Sequence, residues 1–219
     1  MTTIEHLEPQ QRVYIHKRFV RIFHWLNAVG ITLMIMSGWR IYNASPLFDF
    51  RFPNGITLGG WLGGALQWHF AAMWLLVVNF LIYLVIGFVS GHFRQKFTPV
   101  SPKSVLSDLG KAIKGRLPHS ATTYNAVQKT AYIGVLLAII VTIVSGATVW
   151  KPVQLQAIAN VVGGYEGARI VHFLGMSAIC AFIVLHLSLV LLVPSTLVPM
   201  IRGWGRTTPH DLEEARHDV

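Results

Sequence analysis

Charge is scarce in this chain, and acidic charge is scarcest. Only 12% of its 219 residues are Asp, Glu, Lys or Arg, and only 9 of them are acids. Soluble domains carry about 25% charged residues, so half that density points away from a water-exposed globule and toward lipid. Cysteine is nearly missing too. The one present, Cys180, excludes an intrachain disulfide and any all-cysteine metal or iron–sulfur site; inside an apolar run it reads as a packing residue. Basic residues outnumber acids to give a net charge of +9. Nucleic-acid binding would need that charge on one face of a soluble domain. Here it gathers at the ends of apolar segments, as orientation in a bilayer requires, so nucleic acid is excluded as a partner.

What the chain has in quantity is hydrocarbon: 53% of its residues are hydrophobic and its mean hydropathy is +0.52. Apolar runs cover about residues 19–42, 67–91, 127–150 and 168–193. Roughly 20 residues of helix cross about 30 Å of hydrocarbon. Only helices and closed barrels satisfy the backbone in lipid, and these runs lack the period-two alternation of a barrel strand. The expected fold is therefore all-α, a four-helix transmembrane bundle over residues 19–203, with a polar, mobile leader at 1–18 and a polar tail at 204–219. Lys17, Arg18 and Arg21 before an apolar run resemble the charged start of a signal peptide. The long leader, and His24, Trp25 and Asn27 inside the run, favour an uncleaved first span. All but four of the 18 Lys and Arg lie in the leader, the linker between spans two and three, the start of span three or the tail; the exceptions are Arg40, Arg51, Lys151 and Arg169. Both termini are thus expected in the cytoplasm of a bacterial inner-membrane protein.

The connections differ in kind. Residues 43–66 are rich in Gly, Pro and aromatics and read as an ordered, non-spanning loop. The linker from His92 to about Asn125 is basic, with Arg94, Lys96, Lys103, Lys111, Lys114 and Arg116, and its VLSDLGKAIKGRL stretch has the spacing of a surface helix. Pro152–Gly164 is short enough for one interfacial turn of helix. A weak repeat links the halves. Ser37-Gly38 closes span one and Ser145-Gly146 nears the end of span three, while Gly59-Gly60-Trp61 precedes His69 and Gly163-Gly164-Tyr165 precedes His172. Spans one and two read as a hairpin duplicated in three and four.

Of the 10 histidines, His6, His16, His92, His119, His210 and His217 fall in leaders, linkers or span ends, where solvated side chains are the default. His24, His69, His172 and His186 fall inside spans, where an ionisable group is costly and usually functional. One such histidine is as readily a hydrogen-bonding residue between helices; four at matching depths are not. His172 and His186 are fourteen residues apart, which returns the helix to within about 40° of its starting face and separates them by about 21 Å. With the chain starting in the cytoplasm, His69 and His172 lie near the outer side, and His24 and His186 near the inner. Two pairs of facing imidazoles suit iron in two haem planes. Zinc or copper would want three or four ligands, and no acidic side chain lies in the spans to complete such a set. Two axial histidines leave no open position, which favours electron transfer over oxygen binding. No C-x-x-C-H attachment motif is present, so the haems are expected to be b-type.

Propionates need cations at the membrane surface. Arg40, Lys151 and Arg169 are candidates outside, and Lys17, Arg21 and Lys129 inside, although each serves equally as an orientation anchor. Gly30, Gly38, Gly87 and Gly175 offer close approach of a macrocycle or merely tighten helix packing. Asn27 and Asn79 suit a quinone headgroup or an interhelical hydrogen bond. Span three carries no ligand and is left with packing, propionates or quinone. The loop aromatics Phe48, Phe50, Phe52, Trp61 and Tyr165 suit a protein partner or a headgroup belt.

The segments RIFHWLN around His24, LQWHFAAMW around His69, and ARIVHFLGM with VLHL around His172 and His186 resemble the di-haem cytochrome b subunits of membrane-bound hydrogenases, formate dehydrogenases and thiosulfate reductases. The resemblance covers about residues 12–203. It implies two haem b groups passing electrons between a periplasmic redox subunit, of the molybdopterin class in one branch, and membrane quinone. A different reading is a stand-alone quinone-linked oxidoreductase acting on a small diffusible species such as superoxide at the outer haem, drawn by the outer basic groups. A third is a haem-free metal transporter or structural protein.

Overall fold

The computed structural model describes residues 11–91, 101–113 and 125–207. His6, His92, His119, His210 and His217, and the linker cations Arg94, Lys96, Lys114 and Arg116, lie outside the described residues. Four long helices dominate: α1 (Arg18–Ala44), α2 (Leu62–Val89), α4 (Ala126–Trp150) and α6 (Gly164–Leu192). All four are long and apolar enough to cross a membrane, as their composition requires. The short elements are α3 (Pro102–Ile113), α5 (Gln156–Val161), α7 (Leu197–Arg202) and the strands β1 (Gln11–Tyr14) and β2 (Trp204–Thr207). The expected spans sit within these helices to a few residues. The helices α2 and α6 begin earlier than the hydropathy suggests because their first turns, LGGAL and GYEGA, are small or polar. The expected interfacial turn before span four is α5.

The chain divides into two compact units. One comprises residues 22–89 and 135–181 and holds most of the four long helices. Most of its buried side chains are small or polar, among them Ala65, Ala72, Ala168, Ser37, Ser145 and Thr148, beside the larger Tyr42, Phe80 and Ile179. Large aliphatics such as Leu174 and Val78 lie exposed on the helices' outer faces, where lipid is their solvent. Association between helices in lipid relies on close approach and on polar contacts rather than on hydrophobic transfer. The contact of α1 with α2 shows both. A Cβ on Gly30 would fall 2.8 Å from Leu76 of α2. Asn79, almost fully buried, donates from Nδ2 to Asn27 Oδ1 at 2.8 Å and to the Phe23 carbonyl at 3.3 Å. Of the two roles open to these asparagines, the structure shows the interhelical bond.

The other unit gathers the described residues among 1–21, 90–134 and 182–219. The polar leader is not wholly mobile. β1 pairs antiparallel with β2, Tyr14 opposite Trp204, and the two rings pack edge to face at 4.9 Å. Ile15 and His16 both donate their N–H to the Gly203 carbonyl, and Arg21 Nη1 donates to the Ile201 carbonyl at 2.6 Å. Hydropathy carries no signal for this ribbon, because four residues of polar strand look like any tail. The helix α3 is present where the linker's spacing places it. Its Asp108 accepts the Ala126 N–H at 3.0 Å and a hydrogen bond from Lys111 at 3.2 Å, so the carboxylate tethers α3 to the first turn of α4.

Two outcomes are expected. Asn79→Leu strands Asn27 and the Phe23 carbonyl and should lower stability by about 1 kcal/mol, seen as a lower melting temperature in detergent. Ser177→Ala, whose hydroxyl bonds only to its own helix at the Phe173 carbonyl, should shift it far less. The Ala126 N–H first, then Lys111, holds the Asp108 carboxyl below its usual range. The tether is therefore fully present above the ordinary carboxylate pKa and lost as pH falls through that lowered value. The amide shift of Ala126 should titrate below about pH 4, and Asp108→Asn should abolish the titration.

Candidate functional site

The two halves of the sequence repeat are built alike. Gly59 and Gly60 precede α2 with φ of 106° and 71°, and Gly163 and Gly164 stand at the start of α6 with 90° and 82°. Consecutive left-handed residues are open to glycine and strained for anything with a Cβ, so each Gly-Gly pair turns the chain sharply into its helix. Trp61 and Tyr165 follow, both exposed. About two turns further on come His69 and His172. Their ring centroids are 6.3 Å apart and their planes cross at 73°.

Each histidine is braced by the preceding helix of its own hairpin. Ser37 on α1 lies 3.0 Å from His69 Nδ1, and Ser145 on α4 lies 3.4 Å from His172 Nδ1. The residue after each serine is a glycine that faces the same ring. A Cβ on Gly38 would stand 3.4 Å from His69 Cε1, while one on Gly146 would stand 2.8 Å from His172 Cε1, too close to tolerate. His172 has a second acceptor, the Thr142 carbonyl of α4 at 3.0 Å from Nδ1. Gly175 of α6 allows that approach, since a Cβ there would fall 2.3 Å from Thr142 Oγ1. A carbonyl only accepts, so Nδ1 of His172 carries the proton and Nε2 keeps its lone pair.

These features fit a bis-histidine haem. Metal–imidazole bonds of about 2.0–2.1 Å, plus about 1.1 Å from each nitrogen to its ring centre, place two axial rings roughly 6.3 Å apart. The observed separation matches. Among the described residues no group of three or more His, Cys, Asp or Glu could hold a metal ion. Beside Gly38, the buried Trp39 Nε1 has no hydrogen-bond partner, a donor left over for a polar group.

A roof of aromatics closes this end of the unit. Phe173, next to His172, meets Tyr42 at 5.2 Å and Phe48 at 5.4 Å. Phe52 stacks on Trp39 at 4.7 Å. The loop is pinned by Asn43, which both donates to and accepts from the Phe52 backbone at 2.8 Å. Phe48, Phe50 and Trp61 remain substantially exposed, whereas Phe52 is absorbed into the roof.

The remaining site candidates separate. Arg40 donates to Asn54 Oδ1 at 2.7 Å and to the Gly60 carbonyl, both uncharged. With Arg51, Asn43 and Asn54 it lines a cavity of about 470 Å³ that no acidic side chain lines. Arg169 is paired with Glu166 at 2.8 Å and donates to Ser45, so its charge is already met. Lys151 lies over the Trp150 ring at 4.8 Å. Arg21 is engaged with Ile201, and Lys17 is exposed. His24 stacks on Trp25 at 5.1 Å, and His186 stacks on Phe182 at 5.9 Å. Ser37, Ser145, Thr142 and Trp39 went unassigned in the sequence; the only signal for them was the repeated Ser-Gly, noted as symmetry without a role.

A protein of Azospira oryzae, provisionally named protein-methionine-sulfoxide reductase subunit YedZ1, is 53% identical over 190 residues, 86% of this chain and 96% of that one. Proteins provisionally named as B-type cytochrome subunits of Ni/Fe-hydrogenase are more distant. One from Bradyrhizobium diazoefficiens is 26% identical over 80% of this chain and 76% of its own length, and one from Azotobacter chroococcum is 22% identical over 91% of each. The family model for prokaryotic cytochrome b561 matches residues 15–203. Four apolar helices, a facing histidine pair and that match together identify the chain as a member of the prokaryotic cytochrome b561 family, a multi-pass bacterial membrane cytochrome of b type that transfers electrons.

Proposed function

We propose that this cytochrome passes electrons between membrane quinone and an extracytoplasmic oxidoreductase subunit, with His69 and His172 holding the haem nearest that partner. The carrying observation is the 6.3 Å facing pair with both Nδ1 atoms occupied. A bound haem b would supply reversible one-electron chemistry, with His69 and His172 holding its iron. The residues of the chain hold the two rings, exclude water with apolar walls, and offer Arg40 and Arg51 to carboxylates at the cavity above. His24 and His186 are assigned to a second haem on sequence spacing alone. The Lys and Arg distribution supports a cytoplasmic side for both termini and for that second haem. A lipid-facing groove of about 390 Å³, lined by Phe23, Leu26, Trp74 and Val78 with Asn79 among them, suits a quinone ring.

The names of the relatives suggest two directions of flow. A hydrogenase partner would send electrons inward to quinone. A methionine sulfoxide reductase partner, of the molybdopterin class that the sequence resemblance implies, would draw them outward. In that case quinol gives up two electrons and two protons, and the sulfoxide takes two of each to yield thioether and water. The higher identity to the reductase-named relative favours the outward direction. One observation favours a second reading, reaction with a small anion such as superoxide: the cavity at Arg40 and Arg51 has no acidic lining.

The purified chain should show reducible b-type absorbance. His69→Ala and His172→Ala should each remove the same half of it and His186→Ala the other half; absence of any such absorbance would sink the reading. Membranes containing the chain and its co-purifying periplasmic subunit should reduce protein methionine sulfoxide with quinol as donor. Rapid superoxide turnover by the chain alone would favour the second reading instead.

A further inference from the structure

We propose that Ser37 and Ser145 are positioning residues that set the rotation and donor strength of His69 and His172. The inference rests on the reading of those histidines as ligands of one haem.

A serine hydroxyl has one proton to give. In Ser37 it goes to the Leu33 carbonyl at 2.6 Å, and in Ser145 to the Val141 carbonyl at 2.7 Å. With that proton engaged, each Oγ meets the imidazole as an acceptor, so Nδ1 is the donor and Nε2 is left bare. The opposite tautomer would aim an N–H at the position the iron needs. Ser37 is wholly buried and Ser145 nearly so, so no water stands in for either hydroxyl. Donation from Nδ1 to an acceptor fixes the ring's rotation and raises the basicity of Nε2. A more basic ligand favours the oxidised iron and lowers its potential.

The two hairpins match in a second respect. The backbone carbonyl three residues before each serine also meets the ring, Met34 for His69 and Thr142 for His172. They differ in steric control. Gly146 leaves no space for a Cβ against His172, while Gly38 leaves ordinary contact distance to His69. Both ligands are thus held by a hydroxyl and a carbonyl, and His172 also by a missing side chain.

The test is potentiometry and low-spin ferric EPR on the purified haem-loaded chain. Ser37→Ala and Ser145→Ala should each shift the midpoint of the His69/His172 haem upward and change its g-values. Ser37→Thr, which keeps a hydroxyl able to bond the carbonyl four residues back as Thr142 does, should restore both toward wild type. Loss of that haem in Ser37→Ala with retention in Ser37→Thr supports the same conclusion. Retained haem with no shift, a downward shift, or loss of haem in both Ser37 variants would each overturn it. Should His69→Ala and His172→Ala fail to remove a common haem, the parent reading falls first, which separates that failure from this one.

Discussion

Everything at the site depends on one constraint: an imidazole placed in hydrocarbon has two nitrogens and no water to satisfy them. If both nitrogens bond to protein, nothing remains for a metal. If neither does, the polar group is stranded at a cost of several kcal/mol. The chain solves this by placing an obligate acceptor against Nδ1 and leaving Nε2 open. Backbone carbonyls inside a helix are already bonded, but each retains a second lone pair, and the Thr142 carbonyl uses its own on His172. The Met34 carbonyl stands in the same relation to His69, and each ring meets in addition a serine whose own proton is taken by the turn behind it. The glycines follow from the same constraint, because a ring reaches a neighbouring helix's backbone only where a side chain is missing.

The loops extend the constraint outward. A histidine about two turns into a helix is positioned only as well as the start of that helix, and each start is a pair of left-handed glycines. Leu58 donates its N–H to the Met36 carbonyl at 3.0 Å, tying the loop back to α1 one residue before Ser37. Arg40 reaches the Gly60 carbonyl from the same helix. The aromatic roof of Tyr42, Phe48, Phe50 and Phe173 fills the volume above His172 with rigid groups that lose little conformational entropy on ordering.

The spans were legible in the sequence because length and apolarity are properties of a segment by itself. The four histidines stood out because their cost in lipid is local as well. The braces were not legible, since a hydrogen bond from Ser37 to His69 is a fact about two helices at one depth and rotation. Ser37-Gly38 and Ser145-Gly146 were visible as a repeat, yet symmetry says that two places are alike without saying what either does. The ribbon joining Gln11–Tyr14 to Trp204–Thr207 was hidden for a similar reason. Strand pairing between distant polar segments leaves no periodicity in either one. The outer cations illustrate the limit from the other side. Arg169 reads as free charge until Glu166, one helical turn back, is seen to hold it.

A helix without a ligand is easily taken for filler, and α4 is the helix that a count of histidines would discard. It supplies Ser145, Gly146 and the Thr142 carbonyl, three of the four contacts that define His172. The hairpin, rather than the helix, is therefore the working unit: a first helix that braces and a second helix that ligates. That division explains how one copy can relocate a ligand, with Tyr132 standing where repeat spacing would put a partner to His24, and still keep its own histidine in register. Ligand positions can drift between copies as long as each brace stays opposite a histidine. The brace cannot drift, because a Cβ or a lost acceptor at that depth has no solvent to absorb the error.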